Sequence, residues 1–245
     1  MKQAILAVSF GTTYASAEAA CIRPVEEALA KANPDWTVRR AYTARIVMRR
    51  LRERGVPVES VPEALHDLRS EGYSRICIAS THMIPGKEYT QLLEAAEGCP
   101  VSEPLLAGED DLDFLAALMG RIAREAGTPV LFMGHGTDHA ADEIYVRLRK
   151  KLPEQVYLAC VEGSHRLEEL LPRLDALPEK KLTLAPLMLV AGDHAHNDLA
   201  GESDDSWKSI LERRGFSVEV RMQGLGAEEA VQQRFCEKLA KVLPR

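Results

Sequence analysis

Two short segments hold residue types that could do chemistry at the end of a buried strand. One is Met188 to Gly201, MLVAGDHAHNDLAG, where His194 and His196 lie among Asp193, Asn197 and Asp198. It follows directly on an apolar run, Leu182 to Val190, that predicts a buried strand. The other is Val130 to Thr137, VLFMGHGT, where His135 stands between two glycines that permit a sharp turn and close approach of a ligand. Open α/β sheets place their sites at such strand ends. Glu162, in Cys160-Val161-Glu162-Gly163, ends the strand between these two segments. His135, Glu162 and His194 would supply two imidazoles and a carboxylate from three strand ends. That set suits a divalent first-row metal with positions left open. Histidine also suits proton transfer, since its ordinary pKa is about 6.5. In extended chain, residues i and i+2 point to opposite sides, so one of His194 and His196 at most is expected beside His135. Plainer readings stay open: a loop histidine donating to a carbonyl, a salt-bridged glutamate, and aspartates that only form turns.

The first half offers His82 and Glu88, in Thr81-His82-Met83-Ile84-Pro85-Gly86-Lys87-Glu88-Tyr89. Glu88 opens a predicted helix, where a carboxylate is favoured in any case. Arg39 to Arg54, RRAYTARIVMRRLRER, packs seven arginines into an acidic chain. Most fit a solvated helix face. If the ligand is a polyanion, Arg45 and Arg49 are placed to line its path, because guanidinium binds carboxylates bidentately. Ser9 is not in a GxSxG elbow, no GxGxxG follows the first strand and no GxxxxGK[ST] occurs, which argues against serine hydrolase, dinucleotide and P-loop chemistry.

The elements that would position these groups alternate. Strands are predicted at Ala4 to Ser9, Trp36 to Ala41, Arg75 to Ser80, Val130 to Met133, Val156 to Val161, Leu182 to Val190 and Ser217 to Arg221. Helical patterns lie between them, among them 110–125, 140–151, 203–213 and 228–242. Alternation implies parallel sheets covered by helices on both faces. The second half echoes the first: Leu6 to Thr12 matches Leu131 to Thr137, and Ile76 to Glu88 matches Leu182 to His194. Phe10 then falls on His135 and Glu88 on His194. Duplication is the expectation, with an N-terminal α/β half over 1–127 and a C-terminal half over 128–245 whose last helix could pack on the first half.

Composition bounds the partners. The chain has 245 residues, a net charge of −6 and 5% aromatics, which disfavour nucleic-acid binding. No apolar run approaches the ~20 residues of a membrane span, and the start reads as a strand, not a secretory signal. Five scattered cysteines without CxxC spacing fit reduced thiols and a cytoplasmic protein.

VSFGTT near the start, MGHGT, VEG, and MLVAGDHAHNDLAG followed by Ser206-Trp207 resemble the CbiK family of anaerobic cobaltochelatases, from Ala7 to about Gly226. The resemblance implies a class II chelatase fold, α/β with two Rossmann-like three-layer halves related by a pseudo-twofold axis. It implies insertion of Co2+ into sirohydrochlorin, or its precursor precorrin-2, in anaerobic cobalamin synthesis, with cobalt as substrate metal and no organic cofactor. His135, Glu162 and His194 are then the metal ligands and His135 the proton acceptor. Glu88 is expected to be catalytic beside His135 and, with His82 and Tyr89, to face the substrate, joined by Ser9, Phe10, Gly11, Thr12 and, by its charge, Arg45. His196 departs from the family pattern, as an extra ligand or a surface change. The partners expected are a tetrapyrrole and a divalent metal, with a homo-oligomer compatible. Alternatives are nickel or ferrous insertion into a related ring and a non-catalytic haem or metal carrier.

Overall fold

A computed structural model of the protein describes residues 2–244. Contacts divide the chain into two units, Met1–Ala107 with Gly226–Arg245, and Gly108–Leu225.

The first unit is built on three parallel strands, β1 (Lys2–Ser9), β2 (Thr37–Tyr42) and β3 (Tyr73–Ser80), in the order β2-β1-β3. β1 is central and buried from Ala4 to Ser9. A parallel strand covered on both faces reads as a continuous apolar run, which is why AILAV has no polar alternation. Leu6, Val8, Leu65, Leu68, Ile78 and Leu92 form its core. Each fully buried leucine contributes about 1.5–3 kcal/mol. Helix Val61–Ser70 starts in a capping box, with the Ser60 N–H and hydroxyl both donating to Glu63 Oε2 at 2.7 Å. The last helix, Glu229–Ala240, belongs to this unit and packs on helix Arg23–Ala32 and β3.

The second unit has four parallel strands, β4 (Val130–Gly134), β5 (Val156–Cys160), β6 (Lys181–Leu187) and β7 (Ser217–Val220), in the order β5-β4-β6-β7. Leu131, Met133, Leu170, Leu174, Leu184, Trp207 and Leu211 fill its core. The first three strands of each unit share one arrangement. The carbonyls of Ser9 and Phe10 accept from the N–H groups of Thr43 and Ala44 at 3.0 and 3.2 Å. Those of Gly134 and His135 accept from Val161 and Glu162 at 3.0 and 2.8 Å. Phe10 and His135 therefore occupy equivalent places just beyond the central strand, as their sequence echo predicts.

Three local expectations change. The division between units falls before helix Glu109–Ala126, not after it, because that helix packs on β4 and β5. β6 ends at Leu187, three residues short of the apolar run. The helix predicted at 203–213 begins at Trp207, where the Ser206 hydroxyl caps it by accepting from the Ser209 N–H at 3.2 Å. Among the described residues no helix is long and apolar enough to cross a membrane.

Candidate active site

In the second unit the strand order reverses direction at β4, and loops leave the C-terminal ends of β4, β5 and β6 around that point. His135, Glu162 and His194 stand on these three loops. His135 and His194 are brought together, with ring centroids 4.7 Å apart and planes at 89°. His135 Nδ1 lies 2.9 Å from the Gly136 carbonyl oxygen. A carbonyl only accepts, so Nδ1 carries the proton and Nε2 keeps its lone pair. His194 Nδ1 lies 2.7 Å from Asp198 Oδ2. The carboxylate fixes the same tautomer and leaves His194 Nε2 as a donor.

The chain does not run extended through this segment. Asp193 and His194 begin a helical turn that continues as a π-helical stretch, Ala195–Leu199. Helical geometry sets His194 and Asp198, four apart, on one face and turns His196 away. His196 is therefore separated from His194, for a different reason than strand alternation.

Glu162 is joined to His135 through the backbone bond between them, while its side chain is exposed. Among the described residues no group of three or more His, Cys, Asp or Glu is close enough to hold a metal. The structure thus pairs the two imidazoles and does not bring the Glu162 carboxylate into a metal-holding group with them. Gly136 has φ +74°, and a Cβ there would fall on the Glu162 carbonyl. Only glycine lets the two loops meet so closely.

In the first unit the equivalent strand ends carry the other predicted residues. Ser9 and Thr12 are buried, Phe10 is 45% exposed, and Gly11 turns at φ +94° against the Tyr42 ring. His82 is buried, with Nδ1 3.0 Å from the Ser80 hydroxyl and Nε2 3.3 Å from that of Thr43. Burial pushes its pKa down to about 4, so it is neutral at physiological pH. Tyr89 stands edge-on to His82 and donates its hydroxyl to the Ser102 carbonyl at 3.2 Å. Two buried oxygens here have no hydrogen-bond partner, Ser9 Oγ and Glu88 Oε2. Such groups are costly unless something else satisfies them.

The arginine run is mostly paired. Arg39 meets Glu71, Arg40 meets Glu18 and Glu26, Arg52 meets Glu63 and Arg54 donates to the Thr13 carbonyl. Arg49 reaches Glu53 at 3.9 Å between two exposed side chains. Arg45 opens helix Arg45–Glu53, is exposed, and has no carboxylate in ion-pair range among the described residues. Sequence reasoning did not single out Asp198, which bonds His194, or Asp142, which accepts from Thr137 and Ser164. Asp198 was legible only as a turn former, and Asp142 gave no signal.

The family model described as cobalt chelatase (CbiK) matches residues 3–244. The chain belongs to the CbiK family. It is 34% identical to the sirohydrochlorin cobaltochelatase of Salmonella typhimurium over 256 residues, covering 99% of this chain and 97% of that protein. It is also 34% identical to the sirohydrochlorin cobaltochelatase CbiKC of Nitratidesulfovibrio vulgaris over 243 residues, covering 93% of this chain and 86% of that one. Among solved structures, CbiX, described as the terminal enzyme of siroheme biosynthesis in denitrifying bacteria, superposes with a TM-score of 0.59 at 19% identity over the full length of both chains. At that identity the likeness speaks for the fold alone. This CbiK-family chain therefore has the parallel-sheet α/β fold expected of a class II chelatase.

Proposed function

We propose that this CbiK-family chain inserts Co2+ into sirohydrochlorin, with His135 and His194 holding the incoming ion and His135 taking pyrrole protons. The observation that carries this reading is the pair of adjacent imidazoles, each with Nδ1 committed to an oxygen and Nε2 left as a lone-pair donor. Nitrogen ligands sit about 2.1 Å from a first-row ion, which suits two donors on rings packed this closely.

Metallation must strip water from the ion and remove two pyrrole N–H protons. Two imidazoles orient Co2+ while leaving most of its coordination sphere free for the macrocycle. A thiolate set would hold a borderline ion more firmly. Glu162 stands on the loop bonded to His135, and its exposed carboxylate would have to turn inward to join the two imidazoles on the same ion. As the metal passes to the ring nitrogens, His135 Nε2 is released to accept one of the two pyrrole protons, and the other leaves to solvent water. A positioned base contributes about 10²–10⁴-fold in rate. Ser9 at the end of β1 and Glu88 in the first turn of helix Lys87–Ala95 each hold an unsatisfied buried oxygen, which supports polar contacts to the substrate. Phe10, Gly11, Thr12, His82 and Tyr89 are the further first-unit residues we assign to substrate binding, and Arg45 offers an exposed cation to a polycarboxylate. Five free cysteines support a cytoplasmic location.

The experiment is anaerobic metallation followed by the absorbance of the tetrapyrrole, with Co2+ supplied to wild type, His135→Ala and His194→Ala. Loss of turnover in both variants is the expected result. Wild-type rates in both would overturn the assignment.

A further inference from the structure

We propose that Asp142 is a positioning residue that clamps the His135 loop to the Glu162 loop, an inference that rests on the functional reading above. The backbone bonds from Val161 to Gly134 and from Glu162 to His135 join the two loops only as far as these residues. Beyond them each chain turns away through a left-handed glycine, Gly136 at φ +74° and Gly163 at φ +68°. Among the described residues no backbone bond joins the two loops past that point.

Asp142 does so from the turn that leads into helix Glu143–Arg149. Its Oδ1 accepts from the Thr137 N–H at 3.1 Å. Its Oδ2 accepts from the Ser164 N–H at 3.0 Å and from the Ser164 hydroxyl. One carboxylate thereby bridges a residue two beyond His135 and a residue two beyond Glu162. Gly163 is packed against it, since a Cβ at 163 would stand 2.5 Å from Asp142 Oδ1. Tyr145, one helical turn on, closes the other side: a Cβ on Gly134 would stand 2.9 Å from its ring.

The chemistry demands a carboxylate. All three groups aimed at Asp142 donate, so acceptors are needed at both ends of the side chain. Asparagine offers one acceptor and one donor and would set an N–H against an N–H at one loop. Hydrogen bonds to a charged acceptor are also roughly twice as strong as neutral ones. Asp142 touches neither imidazole; its effect on the reaction runs through the backbone that carries them.

The test compares Asp142→Asn, Ser164→Ala and His135→Ala, full chain, by amide hydrogen exchange and by steady-state metallation with Co2+. Asp142→Asn is expected to speed exchange at Thr137 and Ser164 at least about tenfold while the amides of β4 stay protected. It should lower kcat about 10–100-fold, the range seen when a ligand's supporting group is lost, with KM for sirohydrochlorin within about twofold of wild type. Ser164→Ala, which removes one donor of three, should lie between Asp142→Asn and wild type. Wild-type exchange or wild-type kcat in Asp142→Asn would overturn the clamp. Should that variant fail to fold, wild-type kcat and exchange in Ser164→Ala would overturn it instead. Full activity in His135→Ala would sink the functional reading, and the exchange data would still report on the clamp.

Discussion

The Nδ1–H of His194 donates to Oδ2 of Asp198 at 2.7 Å, across one turn of the π-helical segment that follows β6. That bond fixes which nitrogen of His194 faces outward and holds the ring in place as a ligand. Asp198→Ala is expected to weaken Co2+ binding about 10–100-fold, with a smaller loss in Asp198→Asn, whose amide oxygen still accepts. Isothermal titration with Co2+ in the absence of tetrapyrrole measures this. Equal affinity in wild type and Asp198→Ala would show that the bond does not matter to the ion.

Gly136 has no room for a side chain. Gly136→Ala must force a left-handed backbone and displace the Glu162 carbonyl. The expected cost is about 1–3 kcal/mol, which for a domain of this size lowers Tm by about 2–10 °C. Thermal unfolding checks the first effect and metallation the second. A fully active Gly136→Ala enzyme with an unchanged Tm would mean the two loops tolerate separation.

His82 makes stability depend on pH. Its pKa falls from an ordinary 6.5 to about 4 on folding because the ring is buried. Between those values the unfolded chain binds the extra proton, so stability is complete above pH 6.5 and declines as pH falls toward 4. The full loss is about 3 kcal/mol by linkage. His82→Gln, which keeps a hydrogen-bonding group near Ser80 and Thr43, should flatten that part of the profile. Parallel Tm–pH curves for the two proteins would show that another group controls acid sensitivity.

Arg45 is exposed at the start of its helix with no carboxylate in ion-pair range among the described residues, whereas Arg49 and Arg52 meet Glu53 and Glu63. Arg45→Ala is expected to raise KM for sirohydrochlorin about two- to fivefold at low ionic strength, the worth of one exposed charge contact. The difference should shrink as salt is added. A KM that is equal in both proteins at low salt would remove Arg45 from substrate capture.

Much of this was readable from residues alone, for physical reasons. β1 and β4 are buried on both faces, so their apolar runs point to central strands, and polar residues at the ends mark the switch points. That brought His135 and His194 forward as neighbours although 59 positions separate them. The role of Asp198 was hidden because its spacing from His194 has meaning only in a helix, and HAHND looks like a loop. Asp142 was hidden because its partners, Thr137 and Ser164, meet it only after β4 and β5 pair. The arginine run misled in part: Arg39, Arg40 and Arg52 are spent on Glu18, Glu26, Glu63 and Glu71, which alternation and composition cannot foresee.

The helix Glu229–Ala240 completes the unit that the first strand begins. Cys77 Sγ in β3 lies 3.9 Å from the Val242 carbonyl just beyond that helix, and Phe235 and Leu239 are fully buried. On a ribosome, the residues 108–225 emerge before this piece arrives, so the inserted unit can close while the outer one waits unfinished. Trimming some twenty residues from the end would therefore injure the opposite end of the polypeptide, and a cut made between 127 and 128 would yield neither unit intact.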